Sequence, residues 1–307
     1  MSDHANPTRL LSHTITPQAI EDLIKERAAQ ILQAGDQPHV TMKRQIDILH
    51  RLSEFEFGRF LLQNKGINGY WTHYMLTYPW NEDRRAANPI EKFILECAPT
   101  ILATQERFKI FLNENQTAVE NKKQLACIPS GMMGELLYLN FSGIDQIQLI
   151  GVDFDATALA HASSLALEKN LLPFSYFKQL DAWNLQLNNE LDLISSNGLN
   201  IYEADDDKVL ALYQQFYSAL KPNGKLVTSF LTTPPGLSDS CEWTMSEIDP
   251  ENAALQKIIF ADVLGVKWQC YRSSRQTRQQ LELAGFKDIR LIPDRANIFP
   301  TVTARKY

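Results

Sequence analysis

The chain has 307 residues, of which 44% are hydrophobic and 21% are charged, and its formal net charge is -6 at pH 7. This length is enough for two domains, and the negative charge argues against broad binding to nucleic acid. No apolar stretch approaches the ~20 residues that a membrane-spanning helix needs, so no membrane partner is expected.

The N-terminal segment and the cysteines bear on the cellular compartment. Residues 1–18 have no basic start followed by an apolar core, so a secretory signal is not expected. The four cysteines (Cys97, Cys127, Cys241 and Cys270) are widely spaced, which predicts neither a metal site nor a disulfide framework. We therefore expect a cytoplasmic protein without a bound metal.

The first 120 residues predict a helical N-terminal region. Thr16 and Pro17 suit the start of a helix, because threonine caps free amides and proline fits the first turn. Apolar residues then recur at helical spacing until Gly35. Further helices are predicted at 41–62 and at about 89–112. The segment GINGYWTHYMLTYPW between them has six aromatic rings and no clean period.

After Glu120, short apolar runs alternate with helical stretches. The runs that predict strands are 125–128, 147–153, 176–180, 191–195 and 225–231. Strands that alternate with helices indicate parallel β-α-β units with right-handed crossovers. The last two runs, GFKDIRLIPD and IFPTVTARK, are separated only by residues 295–297. Such a short link predicts a hairpin, and hence an antiparallel last strand.

The segment LACIPSGMMGELL, at residues 125–137, predicts a ligand-binding turn. The first strand ends at Ile128, and ligands of doubly wound sheets bind at the carboxyl ends of the strands. Gly131 has no Cβ, so the backbone can bend sharply there and a ligand can approach closely. A helix that starts near Gly134 would direct its free amides to the same point, where an anionic group would be stabilised.

Asp153 ends the second predicted strand. A carboxylate at that position can accept hydrogen bonds from both hydroxyls of a ribose. The alternative is structural, because acidic residues at strand ends often cap helices. The order of glycine turn and acid along the chain favours a nucleotide-like ligand.

Two further strand ends carry suitable residues. Asp181 follows the third strand and could accept a hydrogen bond from an adenine amino group, while the backbone amide of Ala182 or Trp183 faces the ring edge. Asn197 and Gly198 begin a loop after the fourth strand. Because carboxyl ends of parallel strands share one edge, these residues are expected in the same cleft.

This ordered set resembles the class I S-adenosylmethionine-dependent methyltransferases over residues 122–306. ACIPSGMMG stands where that family has its glycine-rich first motif, GVDFD where it has the ribose acid, and LDAW where it has the adenine-edge motif. LDLISSNG, LKPNGKLVTSF and LELAGFKDI match the motifs that follow. The resemblance implies a doubly wound, mostly parallel seven-stranded sheet with an antiparallel C-terminal strand, a Rossmann-like methyltransferase fold behind a helical N-terminal region.

The resemblance also implies S-adenosylmethionine as cofactor and S-adenosylhomocysteine as product. Gly131, Asp153, Asp181 and Ala182 carry over as cofactor contacts. The same cleft offers Pro129, Ser130, Phe154, Trp183, Asn197, Gly198 and Tyr70 as further cofactor-binding candidates.

The chain departs from the family pattern in its first motif. Cys127 stands where the family has an acidic residue, and Pro129 and Ser130 stand where it prefers glycine. The spacing between Gly131 and Gly134 is one residue longer than usual. A catalytically degenerate cofactor-binding module is therefore an open alternative.

Methyl transfer from a sulfonium is an in-line displacement, which depends on alignment more than on a dedicated catalytic residue. His73 and Tyr202 are candidate general bases if the acceptor starts protonated, and a structural role is the alternative. Tyr70, Trp71 and Tyr74 could face the sulfonium or could simply pack the two halves together.

The predicted domains are a helical acceptor-side region at 1–120 and an S-adenosylmethionine-binding domain at 121–307, with a possible lid at 234–269. The predicted function is methyl transfer to a small-molecule acceptor. An RNA or protein methyltransferase is an alternative that the basic stretch at 265–307 would favour, although the N-terminal half has no basic cluster. An NAD(P)-dependent oxidoreductase would need a G-x-G-x-x-G loop, which is missing.

Overall fold

The computed structural model describes residues 20–81, 85–237, 241–266 and 270–307. The helix start predicted at Thr16 and Pro17 lies outside these residues, as do parts of the predicted lid.

In the described residues before the sheet there are six α-helices: α1 Ile20–Ala34, α2 Met42–Ser53, α3 Glu56–Asn64, α4 Gly69–Thr77, α5 Pro89–Glu96 and α6 Pro99–Gln116. The single helical stretch predicted at 41–62 is in fact α2 and α3. A Cβ on Gly58 would lie 2.0 Å from the carbonyl oxygen of Leu52, so α3 packs directly on the end of α2. The helical N-terminal region is confirmed.

The aromatic segment without a period forms α4. The side chain of Asn68 accepts a hydrogen bond from the backbone N–H of Trp71 and caps the helix. The rings of Trp71 and Tyr74 pack on Phe57, with centroids 5.1 and 5.9 Å away. A helix that contacts protein on several sides needs no polar face, which explains why its sequence shows no period.

The seven strands are β1 Lys123–Cys127, β2 Ile147–Asp153, β3 Ser175–Gln179, β4 Leu191–Ser196, β5 Leu220–Ser229, β6 Lys287–Ile292 and β7 Thr301–Arg305. They form one sheet in the order β3-β2-β1-β4-β5-β7-β6. Neighbours from β3 to β5 pair in parallel, and β7 is antiparallel to both β5 and β6. The predicted fold is confirmed, with its topological switch point between β1 and β4.

The link between β6 and β7 is longer than the three residues predicted, because it spans 293–300. The Asp294 carboxylate accepts hydrogen bonds from the backbone N–H groups of Ala296, Ile298 and Phe299. One buried side chain thus supplies the partners that a wider loop needs.

The remaining helices are α7 Gly134–Leu137, α8 Ala156–Glu168, α9 Leu199–Tyr202, α10 Asp206–Ala219, α11 Pro250–Lys257 and α12 Ser274–Leu283, with a π-helix at Ile258–Val263. The helix predicted near Gly134 is only four residues long. It begins at Gly134 as predicted, but one turn aligns few peptide dipoles, so anion binding at its end stays a prediction.

The π-helix joins the N-terminal helices rather than the sheet. Its buried residues Ile258, Ile259 and Val263 belong to the same apolar core as Leu49 and Phe57. None of the described helices is both long and apolar enough to cross a membrane.

Candidate functional site

The glycine turn after β1 and the carboxylate of Asp153 meet at the carboxyl edge of the sheet. The backbone N–H of Gly131 donates to Asp153 Oδ2 at 3.0 Å, and the N–H of Ser130 donates to the Val152 carbonyl at 2.7 Å. Gly131 has φ +48°, which favours glycine. The turn after β1, which begins at Pro129, is therefore hydrogen-bonded directly to the end of β2.

The Asp153 carboxylate is held in place and only partly satisfied. Its Oδ1 accepts from the backbone N–H of Asp155 at 3.0 Å, and its Oδ2 accepts from Gly131. Burial raises the pKa of Asp153, and these hydrogen bonds oppose the shift. Because an ionised carboxylate has about four lone-pair sites, it can accept further hydrogen bonds from hydroxyl groups.

The first turn of α4 lies against the glycine turn. A Cβ on Gly69 would lie 2.9 Å from the Cα of Gly131, so the two backbones are in close contact. The next residue, Tyr70, is 41% exposed, and its ring centroid lies 6.0 Å from that of His161 on α8. Tyr70, in the first turn of α4, thus lies where α4 approaches α8.

The residues predicted at the adenine edge lie at the ends of β2 and β3. Asp181 accepts from the backbone N–H of Trp183 at 2.9 Å, and Ala182 is buried between them. The indole of Trp183 donates to the Lys208 carbonyl, so its ring is turned towards α10. Phe154, in contrast, is 64% exposed.

A row of polar side chains, buried except for the half-buried Asn197, crosses the carboxyl ends of β1, β4 and β5, and of these only Asn197 was predicted from the sequence. We call Arg107, Ser229, Asn197 and Glu135 the polar row. Arg107 Nη1 donates to Ser229 Oγ at 3.4 Å, and the Ser229 hydroxyl donates to Asn197 Oδ1 at 3.1 Å. Asn197 Nδ2 then donates to Glu135 Oε1 at 3.4 Å. Hydrogen bonds therefore connect α6 to the turn after β1.

Glu135 brings a carboxylate to the position where the first motif lacks one. The thiol of Cys127 donates to Glu135 Oε2 at 3.2 Å. Burial raises the pKa of Cys127 well above its ordinary value, and the Glu135 charge adds to this shift. The thiol is therefore neutral, and the negative charge at the end of β1 comes from α7. The position of Glu135 directly after Gly134 was the only sequence signal.

The two candidate bases lie in different surroundings. His73 Nε2 is 3.0 Å from the hydroxyl oxygen of Tyr138, and the two rings are stacked with centroids 5.7 Å apart. Tyr202 lies after β4, next to Gly198, and burial raises the pKa of its phenol. A raised pKa keeps Tyr202 protonated at neutral pH, so it is suited to donating a hydrogen bond rather than to removing a proton.

Known structures share this architecture. A protein from Bordetella parapertussis described as a possible exported protein is 40% identical, matches over 100% of this chain and 99% of its own, and has a TM-score of 0.88. Magnesium protoporphyrin IX methyltransferase (ChlM) from Synechocystis PCC 6803, solved with bound S-adenosylhomocysteine, is 14% identical over 78% of this chain and 94% of its own, with a TM-score of 0.51.

The S-adenosylmethionine-dependent methyltransferase SibL, in its apo form, is 13% identical over 95% of this chain and 78% of its own, with a TM-score of 0.52. At such low identities the likeness to SibL and to the Synechocystis enzyme shows the fold alone. No protein-family model and no curated protein sequence matches the chain.

Proposed function

Because the chain belongs to the same family as the Bordetella parapertussis protein and has the fold of the class I S-adenosylmethionine-dependent methyltransferases, we propose that it transfers a methyl group from S-adenosylmethionine to a small-molecule acceptor. The observation that carries the proposal is the hydrogen bond between Gly131 and Asp153. It sets a Cβ-free turn beside an incompletely satisfied carboxylate at the carboxyl edge of the sheet, next to the switch point, where such folds bind their ligands.

The residues at this edge fit the proposed cofactor. Asp153 has lone pairs available for the two ribose hydroxyls, and Phe154 offers an exposed ring for the adenine. The Glu135 carboxylate, at the end of β1, would face the ammonium of the methionine part. Asp181 and Ala182, which follow β3, would lie along the edge of the adenine ring. S-adenosylmethionine, when bound, supplies a methyl group activated by its sulfonium.

The chain's own contribution is alignment and exclusion of water. Gly69 and Tyr70 cover the turn from one side, and Tyr202 can donate a hydrogen bond to an acceptor atom near β4. Positioning of this kind accounts for much of the rate of a displacement reaction. His73 is already paired with Tyr138, so we propose no obligatory general base.

We propose that the acceptor is small because polypeptide covers the carboxyl edge of the sheet. The N-terminal region, residues 1–120, contributes α4 and α6 to this cover. Within the proposed lid, 234–269, Trp243 and Ile248 pack with Leu231 at the end of β5. An RNA or a folded protein would need a more open surface.

Thermal stabilisation tests this function. S-adenosylhomocysteine is expected to raise the melting temperature of the protein, whereas NAD is not. A ligand that binds only the native state at about 100 times its Kd stabilises it by about 2.7 kcal/mol. Stabilisation by NAD alone would reject the assignment. Binding of S-adenosylhomocysteine without turnover on any acceptor would favour the degenerate module.

Replacing Gly131 with alanine is expected to weaken S-adenosylhomocysteine binding by about 10-fold, equal to about 1.4 kcal/mol. The new Cβ would make only an ordinary van der Waals contact, 3.7 Å from the Cα of Gly69, but φ +48° is strained for alanine, so we expect the turn to shift. Gly143→Ala is the matched control, because Gly143 has φ +77° and open space around it. Both variants should lose about 1 kcal/mol of stability, measured by urea unfolding. Equal binding by both would contradict a role for the turn.

We also propose a cytoplasmic location. All four cysteines, including Cys97 and Cys241, are free thiols, which is typical of a reducing compartment. Cell fractionation with a periplasmic marker would measure it. Recovery with the marker would instead match the description of the Bordetella protein.

A further inference from the structure

Arg107, on α6, is a buried cation with few hydrogen-bond partners among the described residues. Its side chain is 5% exposed, and its one hydrogen bond to a described residue is the long contact with Ser229. Its Nε has no hydrogen-bond partner among the described residues. Its Cζ lies 4.6 Å from the ring centroid of Phe299 in the link between β6 and β7, so one face of the guanidinium is stacked.

Such a group is costly to bury without a partner. Burial lowers the pKa of Arg107 to about 10, so the guanidinium is still charged at neutral pH. The acids nearby are engaged elsewhere. Glu135 binds Asn197 and Cys127, and Asp294 accepts three backbone N–H groups. The guanidinium therefore retains donors for an anion.

The position of Arg107 relates it to the acceptor rather than to the nucleoside. Ser229 ends β5 and Asn197 follows β4, whereas Gly131 and Asp153 lie beyond β1 and β2. Tyr202 carries a phenol on the same side, and burial raises the pKa of this phenol while the charge of Arg107 opposes the shift. The polar row thus runs from Glu135, on the proposed cofactor side of the sheet, to Arg107.

We propose that Arg107 binds a carboxylate of the methyl acceptor, which makes the acceptor a small carboxylic acid. The planar guanidinium matches a carboxylate in a two-point contact, and one cation balances one negative charge. This inference rests on the proposed function. The methionine end of the cofactor also carries a carboxylate, so the experiment must separate the two sources.

The first arm compares S-adenosylhomocysteine with 5′-methylthioadenosine, which lacks the amino-acid part. Calorimetry on the full chain is expected to give dissociation constants that differ by less than about 2-fold between wild type and Arg107→Met. Loss of S-adenosylhomocysteine binding with retained methylthioadenosine binding would assign Arg107 to the cofactor and overturn the proposal. If neither ligand binds the wild type, the proposed function fails, and the second arm is then run without ligand.

The second arm uses protein saturated with S-adenosylhomocysteine and three acids: benzoate, salicylate and phenylacetate, each against its amide. At least one acid is expected to bind, and its amide should bind at least about 10-fold more weakly. Arg107→Met should reduce the affinity for that acid by at least about 10-fold. Arg290→Met is the control, because Arg290 is an exposed cation paired with Glu114. Arg107→Lys keeps the charge without the planar fork and should show the same direction of loss if Arg107→Met does not fold.

Three results would overturn the proposal: no acid binds the wild type, an amide binds as well as its acid, or Arg107→Met retains the affinity for the acid.

Discussion

Replacing Asp153 with asparagine is expected to reduce the affinity for S-adenosylhomocysteine by about 100-fold. The carboxylate would accept two ribose hydroxyls, and hydrogen bonds to a charged group contribute about 1.5–3 kcal/mol each. The amide has only one acceptor oxygen, which the N–H groups of Gly131 and Asp155 already require. Isothermal calorimetry measures the change.

Asp155→Asn is the matched control, because Asp155 caps α8 through the Thr157 amide and asparagine caps equally well. It should bind like the wild type. If Asp153→Asn bound within about 3-fold of the wild type, the ribose would have to lie elsewhere.

The same variant has an expected effect on stability. Burial raises the folded-state pKa of Asp153 above 3.8, so its favourable contribution is complete below pH 3.8 and is lost as the pH rises through the raised value. Asparagine does not titrate, but it leaves the N–H of Gly131 or of Asp155 without an acceptor, so the stability of the variant relative to the wild type should improve as the pH rises from 3.8 towards neutral. Urea unfolding at several pH values tests the sign. A relative stability that falls over this range would contradict it.

Replacing Arg272 with methionine is expected to lower the free energy of unfolding by about 3 kcal/mol. Arg272 is 3% exposed and donates to the carbonyls of Asn200 and Glu203, at 2.6 and 2.7 Å, and to Asp206 at 2.9 Å. Methionine would leave two buried carbonyls without their donor. These carbonyls lie on either side of Tyr202, so the loop after β4 should also loosen.

Urea unfolding of Arg272→Met, with Arg275→Met as the control, measures the effect. Arg275 is an exposed cation in the first turn of α12, three residues after Arg272, so its removal should change stability by less than about 0.5 kcal/mol. Equal stability of the two variants would mean that the carbonyls find other donors. Acid binding should weaken in Arg272→Met only if the loop after β4 helps to shape the acceptor side.

The proximity of Gly131 and Asp153 could be predicted because both residues lie at the ends of strands that are neighbours in a parallel sheet. Gly131 follows β1 and Asp153 ends β2, and the crossover rule places both carboxyl ends at one edge. The prediction needed only the order of the elements and the residue types at their ends. Which N–H would bind the carboxylate did not follow from the sequence.

The surroundings of Arg107 could not be predicted, because the residues that contact it come from distant parts of the chain. Arg107 lies on α6, Ser229 ends β5, and Phe299 lies in the link before β7. An arginine on a helix ordinarily indicates a solvated face, and nothing local marks this one as buried. Glu135 was similarly hidden, because its role depends on a helix of a single turn.

The sequence alone indicated the alternation of strands and helices and the antiparallel last strand, because apolar runs and turn residues are local properties of the chain, and the resemblance added the seven-stranded sheet. Only the tertiary structure decided that α4 lies on the glycine turn and that Arg107 is buried with no salt bridge to a described residue. Those facts depend on the desolvation of groups far apart in the chain, which residue spacing does not encode.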